Sequence, residues 1–162
     1  MDSYRCIVTK RDSRSYRQEA IDEEVLQRIL QAGRMTGSSK NTQPWAFVVL
    51  RDDERKKELA GCGQFAQHVP SAPLVIAVVL KPGGGGFDAG RAAQNMMLAA
   101  WAEGITSCPV AMHDRECAAR VLGLPPEHSV AIVLSLGYPA SSESLHRGIT
   151  RTPLEELVHE ER

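Results

Sequence analysis

The stretch Leu74-Val75-Ile76-Ala77-Val78-Val79-Leu80 is apolar at every position. A strand with one wet face alternates apolar and polar residues. One that does not alternate is buried on both sides, so helices must cover both faces of its sheet. Val130 to Leu136 reads as a second two-sided strand, ending at Gly137-Tyr138-Pro139. Between them, Asp88 is the expected cap of a long helix reaching about Glu103, with Gly104 as its stop. Ala89, Ala92, Ala93, Met96, Met97, Leu98, Ala99, Ala100 and Trp101 leave that helix almost no polar face, so it belongs at the centre or at a subunit interface. The layered reading is α+β, an α/β/α sandwich.

Working outward, Asp22 precedes a helix whose Val25, Leu26, Ile29 and Leu30 repeat at helical spacing. Ile21 and Leu26 stand where a hydrophobic staple places them. That helix ends near Gly33 to Gly37 and leads into the polar run Gly37-Ser38-Ser39-Lys40-Asn41-Thr42-Gln43, then Pro44-Trp45 and the strand Ala46–Leu50. Asp53 can cap a short charged helix ending at Gly61. Pro82 and the glycines Gly83 to Gly86 form a mobile connection. Thr106 to Met112 gives a short strand, and Asp114 to Leu122 a capped helix stopped by Gly123. After a polar, irregular tail from Ala140 to Ile149, Thr152-Pro153-Leu154-Glu155 reads as a capping box opening a last helix with Leu157 and Val158 inside. Neither a repeat nor a dividing linker is visible, so residues 1–162 are expected to form one domain.

A chain of 162 residues with 43% hydrophobic and 24% charged content has the composition of a globular protein. Its formal net charge of -1 gives no reason to expect nucleic acid or an anionic membrane as partner. No apolar run approaches a membrane span, and the segment MDSYRCIVTKRDSRSYR lacks the apolar core of a secretory signal, so the cytoplasm is the expected compartment. Cys6, Cys62, Cys108 and Cys117 form no CxxC pair and no zinc spacing, and are expected as partly buried free thiols with no metal site.

Three chemistries compete on the residues alone. Gly84-Gly85-Gly86-Phe87-Asp88-Ala89 satisfies G-x-G-x-x-A after a strand, but Lys81-Pro82 and adjacent glycines read as a loose loop rather than a phosphate turn. Hydrolysis lacks a G-x-S-x-G elbow, and His113-Asp114 are adjacent rather than arranged as a triad. His68, His113, His128, His146 and His159 are scattered and read as surface or capping histidines. The basic segment Lys10 to Arg17 offers an anion site: Arg11 and Arg14 can hold a phosphate by charge-assisted bonds, with Arg151 as a second contribution.

Several stretches together resemble the FMN-dependent nitroreductase family: Arg-Asp-x-Arg-x-Tyr at Arg11, then Ser38-Ser39-x-Asn41-x-Gln43-Pro44-Trp45, then Asp88-Ala89-Gly90 through Glu103-Gly104-Ile105. Gly137-Tyr138-Pro139 and Arg151-x-Pro153-Leu154 complete the order, from about Val8 to Val158. The resemblance implies a nitroreductase-like fold: a mostly antiparallel mixed sheet flanked by helices in a domain-exchanged homodimer, with one FMN in each interface cleft. Arg11, Asp12, Ser13 and Arg14 would form the cofactor's phosphate segment, joined by Arg151. Ser38, Ser39 and Asn41 would come from the other subunit, Gln43 would lie near the flavin, and Glu103, Gly104 and Ile105 beside its ring. Pro44 and Trp45 read as structural, and Met96, Met97 and Trp101 as core or interface. NAD(P)H would deliver hydride to flavin N5, and an electron-poor acceptor would then take it from the same face; no protein nucleophile is needed. A non-catalytic flavin module and a dehalogenase or flavin-consuming relative are the alternatives. Two departures stand out. Gly37 replaces the family's usual proline, and Asp12 cannot donate to phosphate, so it is expected to orient Arg11 or Arg14.

Overall fold

A computed structural model describes residues 2–145 and 150–161. Its centre is an antiparallel sheet in the order β1-β2-β4-β3, from β1 (Trp45–Leu50), β2 (Leu74–Leu80), β3 (Thr106–Val110) and β4 (Ser129–Gly137). All three strand pairings are antiparallel. The only parallel pairing among the described residues is the single bridge Asp12 to Ser107, so the expected mixed sheet is antiparallel throughout its four strands. β2 is buried through six consecutive residues, as its unbroken apolar run requires. Ile76 and Val78 enter one core with α2 (Glu23–Arg34) and α4 (Gly86–Ala102). Val75 and Ala77 enter a second, with α3 (Asp53–Gly61) and α5 (Arg115–Leu122).

α4 carries the chain from β2 to β3 across β4, which lies between them. A dinucleotide fold needs the strands of that crossover to run side by side in a parallel sheet. The glycine-rich run has a different use. A Cβ on Gly84 would stand 2.9 Å from the Pro44 carbonyl oxygen, so the run packs against the entry to β1. Gly86 already belongs to α4, whose N-cap is Gly85. Asp88 therefore sits inside the first turn instead of capping it. The buried residues of α4 are Ala89, Ala92, Ala93, Met96, Met97 and Ala100, which makes it the central helix.

Other expectations shift by a residue or two. Asp52, not Asp53, caps α3 by accepting from Arg55 N at 2.9 Å, while Asp53 pairs with the buried Lys56 at 2.8 Å. Asp22 stands at the N-cap of α2 without a side-chain bond, and the stop of α2 is Arg34. The capping box at Thr152 is absent: Pro153 is the N-cap of the four-residue helix α6 (Leu154–Leu157), and Leu154, Leu157 and Val158 are exposed rather than inside. A helix that sequence periodicity does not announce, α1 (Ser3–Thr9), is capped by Asp2 and buries only Cys6. It docks on α4 through Cys6 Sγ to the Leu98 carbonyl (3.4 Å) and Trp101 Nε1 to Thr9 Oγ1 (3.1 Å). None of the described helices is long and apolar enough to cross a membrane.

The expectation of four free thiols is overturned. Cys62 and Cys117 form a disulfide that ties α3 to α5, and only Cys6 and Cys108 are free. The two residues are 55 apart in sequence, with Cα atoms 5.6 Å apart, so spacing alone could not pair them. His113, on the adjoining loop, accepts from Gln64 N at 3.1 Å, and Asp114 caps α5 through Cys117 N at 2.8 Å. Both serve the fold rather than hydrolysis. Closing a loop of that length stabilises the folded state by about 4 kcal/mol in the chain-entropy view. Thiol counting in denaturant should give two reactive cysteines before reduction and four after. The Cys62→Ser, Cys117→Ser variant should unfold at clearly lower denaturant, and an unchanged midpoint would remove the disulfide from the account of stability.

Candidate active site

The basic segment around Arg11 and Arg14 lies against the start of β3. Ser13 N donates to the Ser107 carbonyl at 3.3 Å, and Thr106 Oγ1 donates to the Arg11 carbonyl at 3.0 Å. Tyr16 locks this turn from beneath. Its hydroxyl donates to the Ser13 carbonyl at 2.6 Å and lies 2.7 Å from Ser135 Oγ. Burial pushes the Tyr16 phenol well above its usual range, so it stays neutral and a donor. The Ser13 side chain is fully buried, with its hydroxyl donating to the Ser15 carbonyl at 3.0 Å, and so shapes the turn from within.

Arg14 is exposed, its Nε 3.5 Å from Cys108 Sγ, and that bond raises the guanidinium's pKa. Arg11 is half-buried and uses Nη1 for the carbonyls of Val8 (3.1 Å) and Lys10 (2.8 Å). Asp12 orients neither arginine. Its carboxylate pairs with Lys10 Nζ, and the same ammonium lies 3.7 Å from Met97 Sδ on α4. Lys10 stands two residues before Asp12, a spacing present in the sequence, and is a cation of this turn outside the Arg-Asp-x-Arg pattern.

The turn after α4 completes this end. Gly104 has φ +78°, a conformation that favours glycine, and Ile105 is fully buried. The Glu103 carboxylate is held by Arg28 of α2, Nε to Oε1 at 2.8 Å and Nη2 to Oε2 at 3.3 Å. Ser107, next to Asp12, is fully buried and its hydroxyl has no partner. An unsatisfied buried hydroxyl bridged to the Arg11–Arg14 turn fits a polar ligand that completes its bonding.

Ser38, Ser39, Asn41 and Gln43 lie at the other end of α4. Arg91 Nη1 holds the Gly37 carbonyl at 2.8 Å, and Ser38 Oγ accepts from Gln43 N at 2.9 Å. Three residues here adopt left-handed backbone without being glycine: Lys40 (φ 51°), Asn41 (φ 53°) and Gln43 (φ 48°). Such residues gather where a loop must present particular groups. Pro44 and Trp45 are buried and anchor the loop. Twelve residues of α4 separate Arg91 from Glu103, roughly 18 Å at the helical rise. Within one chain the two sets of candidates therefore do not meet. Arg151 is exposed in the tail and meets neither, and His146 lies outside the described residues.

A cleft of about 650 Å³ runs beside α4 from Gly86 to Met97, walled by Pro109 and Ile132, and Met97 is the residue that Lys10 approaches. None of the sequence-predicted residues lines it. Among the described residues no cluster of His, Cys, Asp and Glu could hold a metal ion.

The fold is that of the nitroreductases. The Nitroreductase family model matches residues 7–79 and 85–138, and the chain belongs to that family. It is 32% identical over 156 residues to a protein of Archaeoglobus fulgidus provisionally named an NADH dehydrogenase/NAD(P)H nitroreductase, covering 90% of each. Nitroreductase A from Vibrio parahaemolyticus superposes with a TM-score of 0.90 at 26% identity, over 100% of this chain and 76% of that one. The NADPH:FMN oxidoreductase of Vibrio harveyi, solved with NAD+, gives 0.88 at 26% identity, over 98% of this chain and 76% of that one.

His68 departs from the surface reading given to all five histidines. It is 9% exposed, its Nε2 has no partner, and burial followed by the charge of Arg14 lowers its pKa. A histidine depressed in the fold binds its proton more readily when unfolded, so its contribution to stability is present above the unfolded pKa and is lost as pH falls through the folded one. Unfolding midpoints measured from pH 7.5 down to 5 should therefore fall, and His68→Phe should flatten that fall. An equally steep profile in the variant would mean another group carries it.

Proposed function

We propose that the chain is an FMN-dependent oxidoreductase that uses NAD(P)H to reduce an electron-poor acceptor such as a nitroaromatic or a quinone. The observation that carries this reading is the turn of Arg11 to Arg14, whose Asp12 is bridged to Ser107, a residue with a buried, unpartnered hydroxyl. FMN, when bound, supplies the hydride-accepting and hydride-donating chemistry that no side chain here provides. The chain's own part is to hold and orient it. Arg11 and Arg14 neutralise the phosphate, with Arg151 as a further cation from the tail. Asp12 holds the Lys10 ammonium beside Met97, itself a lining residue of the cleft. Ser13 and Tyr16 keep the turn rigid. Glu103, Gly104 and Ile105 offer backbone groups beside the ring, since the Ile105 side chain is committed to the core.

The separation of the two candidate sets along α4 supports a homodimer in which Ser38, Ser39, Asn41 and Gln43 of one copy complete the site of the other. In that assembly residues 1–162 act as one domain per subunit, acting in the cytoplasm. The two-step order, reductant first and acceptor second at one open cleft, follows from a cofactor reached from a single face.

The purified protein should be yellow or become so with added FMN, and anaerobic NADPH or NADH should bleach it. Arg14→Ala should weaken FMN binding on the order of ten- to a hundredfold, the worth of one charge-assisted phosphate contact. Light scattering should give a dimer. A colourless chain that gains no flavin spectrum sinks the proposal, and flavin that never bleaches leaves only a binding module.

A further inference from the structure

We propose that Arg28 is a positioning residue for the cofactor site: its clamp on Glu103 keeps a carboxylate from opposing the negative charge that builds on the cofactor when it is reduced. This rests on the preceding reading, which puts the Glu103–Ile105 turn beside the ring.

The local structure leaves Glu103 little freedom. It is the C-cap of α4, Ile105 N returns to the Ala100 carbonyl at 2.9 Å, and Ile105 is fully buried. The turn is therefore held on both sides, and its carboxylate stays close to wherever the turn backbone is used. A helix C-terminus already presents a partial negative charge. An ionised carboxylate at the same point adds a second source of one sign, which disfavours an anion bound next to it.

Arg28 answers that charge from a different element. It lies in the second turn of α2 and reaches Glu103 with two bonds, 2.8 Å from Nε and 3.3 Å from Nη2. The two-point geometry suits a guanidinium, and a lysine would keep the charge while losing the fork. Both side chains are partly exposed, at 53% and 34%, so solvent screens the pair and its value to stability is small. A pair of little use to folding, placed at the edge of the proposed ring site, acts through its charge.

The test is an equilibrium reduction of FMN-loaded protein against a reference dye, read from visible spectra. At a fixed dye ratio, Arg28→Ala should bind FMN yet show an oxidised-to-reduced FMN ratio raised roughly three- to tenfold, the size of a screened single-charge effect. Arg28→Lys should recover most of the wild-type ratio. Glu103→Gln alone should shift the ratio the opposite way, and adding Arg28→Ala to it, which removes both charges, should bring the ratio back to about the wild-type value. An unshifted ratio in FMN-bound Arg28→Ala overturns this inference alone. So does a double variant whose ratio stays as high as that of Arg28→Ala alone, because that shift would come from altered packing. A wild-type chain that takes up no FMN overturns this inference and the function it rests on together.

Discussion

The structure depends on how closely α2 can approach α4. At Gly33 a Cβ would stand 2.9 Å from Met96 Cγ and Sδ and from Phe47 Cζ, so any larger residue would push the helix away. With glycine there, Met96 is fully buried and the helices lock in an antiparallel register. Arg28 meets Glu103, Thr36 meets Asn95 at 2.8 Å, and Gly37 meets Arg91. One close packing contact therefore places both ends of the candidate site. It holds the turn after α4 at one end and the Ser38–Gln43 loop at the other.

The layered fold was readable because it rests on unbroken local patterns. Leu74–Leu80 had to be covered on both sides, and the alternation of Ile76 and Val78 with Val75 and Ala77 divides it between the two cores. The alanine-rich face of α4 had to be central. Features that depend on distant partners stayed hidden. α1 buries one residue and shows no periodicity, so only its contacts with Leu98 and Trp101 reveal it. The Cys62–Cys117 link needs α3 and α5 side by side, and composition favoured free thiols because it could not supply that proximity. Asp52 and Asp53 both suit a cap, and backbone direction alone chooses between them.

The site divides in the same way. Arg11 and Arg14 announced an anion-binding turn by charge, and Gly104 announced a helix stop by its chemistry. The partners that give those residues their geometry come from elsewhere in the chain: Ser107 from β3, Arg28 from α2, Cys108 beneath Arg14. The Ser38–Gln43 loop looked like an ordinary polar connection. Its left-handed Lys40, Asn41 and Gln43 become visible only when Arg91, Pro44 and Gly84 hold the loop in place. His68 was misread for a related reason. Sequence polarity marks histidine as a surface residue, while the fold buries it within reach of Arg14's charge with one nitrogen unpaired.

Asp12 is where these levels meet. A carboxylate inside a phosphate segment opposes the ligand's charge, which on sequence grounds made it a servant of the neighbouring arginines. The Lys10 side chain is only 12% exposed, and an ammonium that deep requires a counter-charge. Asp12 supplies it, and neither Arg11 nor Arg14 makes an ion pair among the described residues. The acid therefore costs the phosphate little: its charge is cancelled by a lysine that would otherwise be unpaired against Met97. Replacing Asp12 by a neutral residue would remove the repulsion but strand Lys10, so the two positions can change only as a pair.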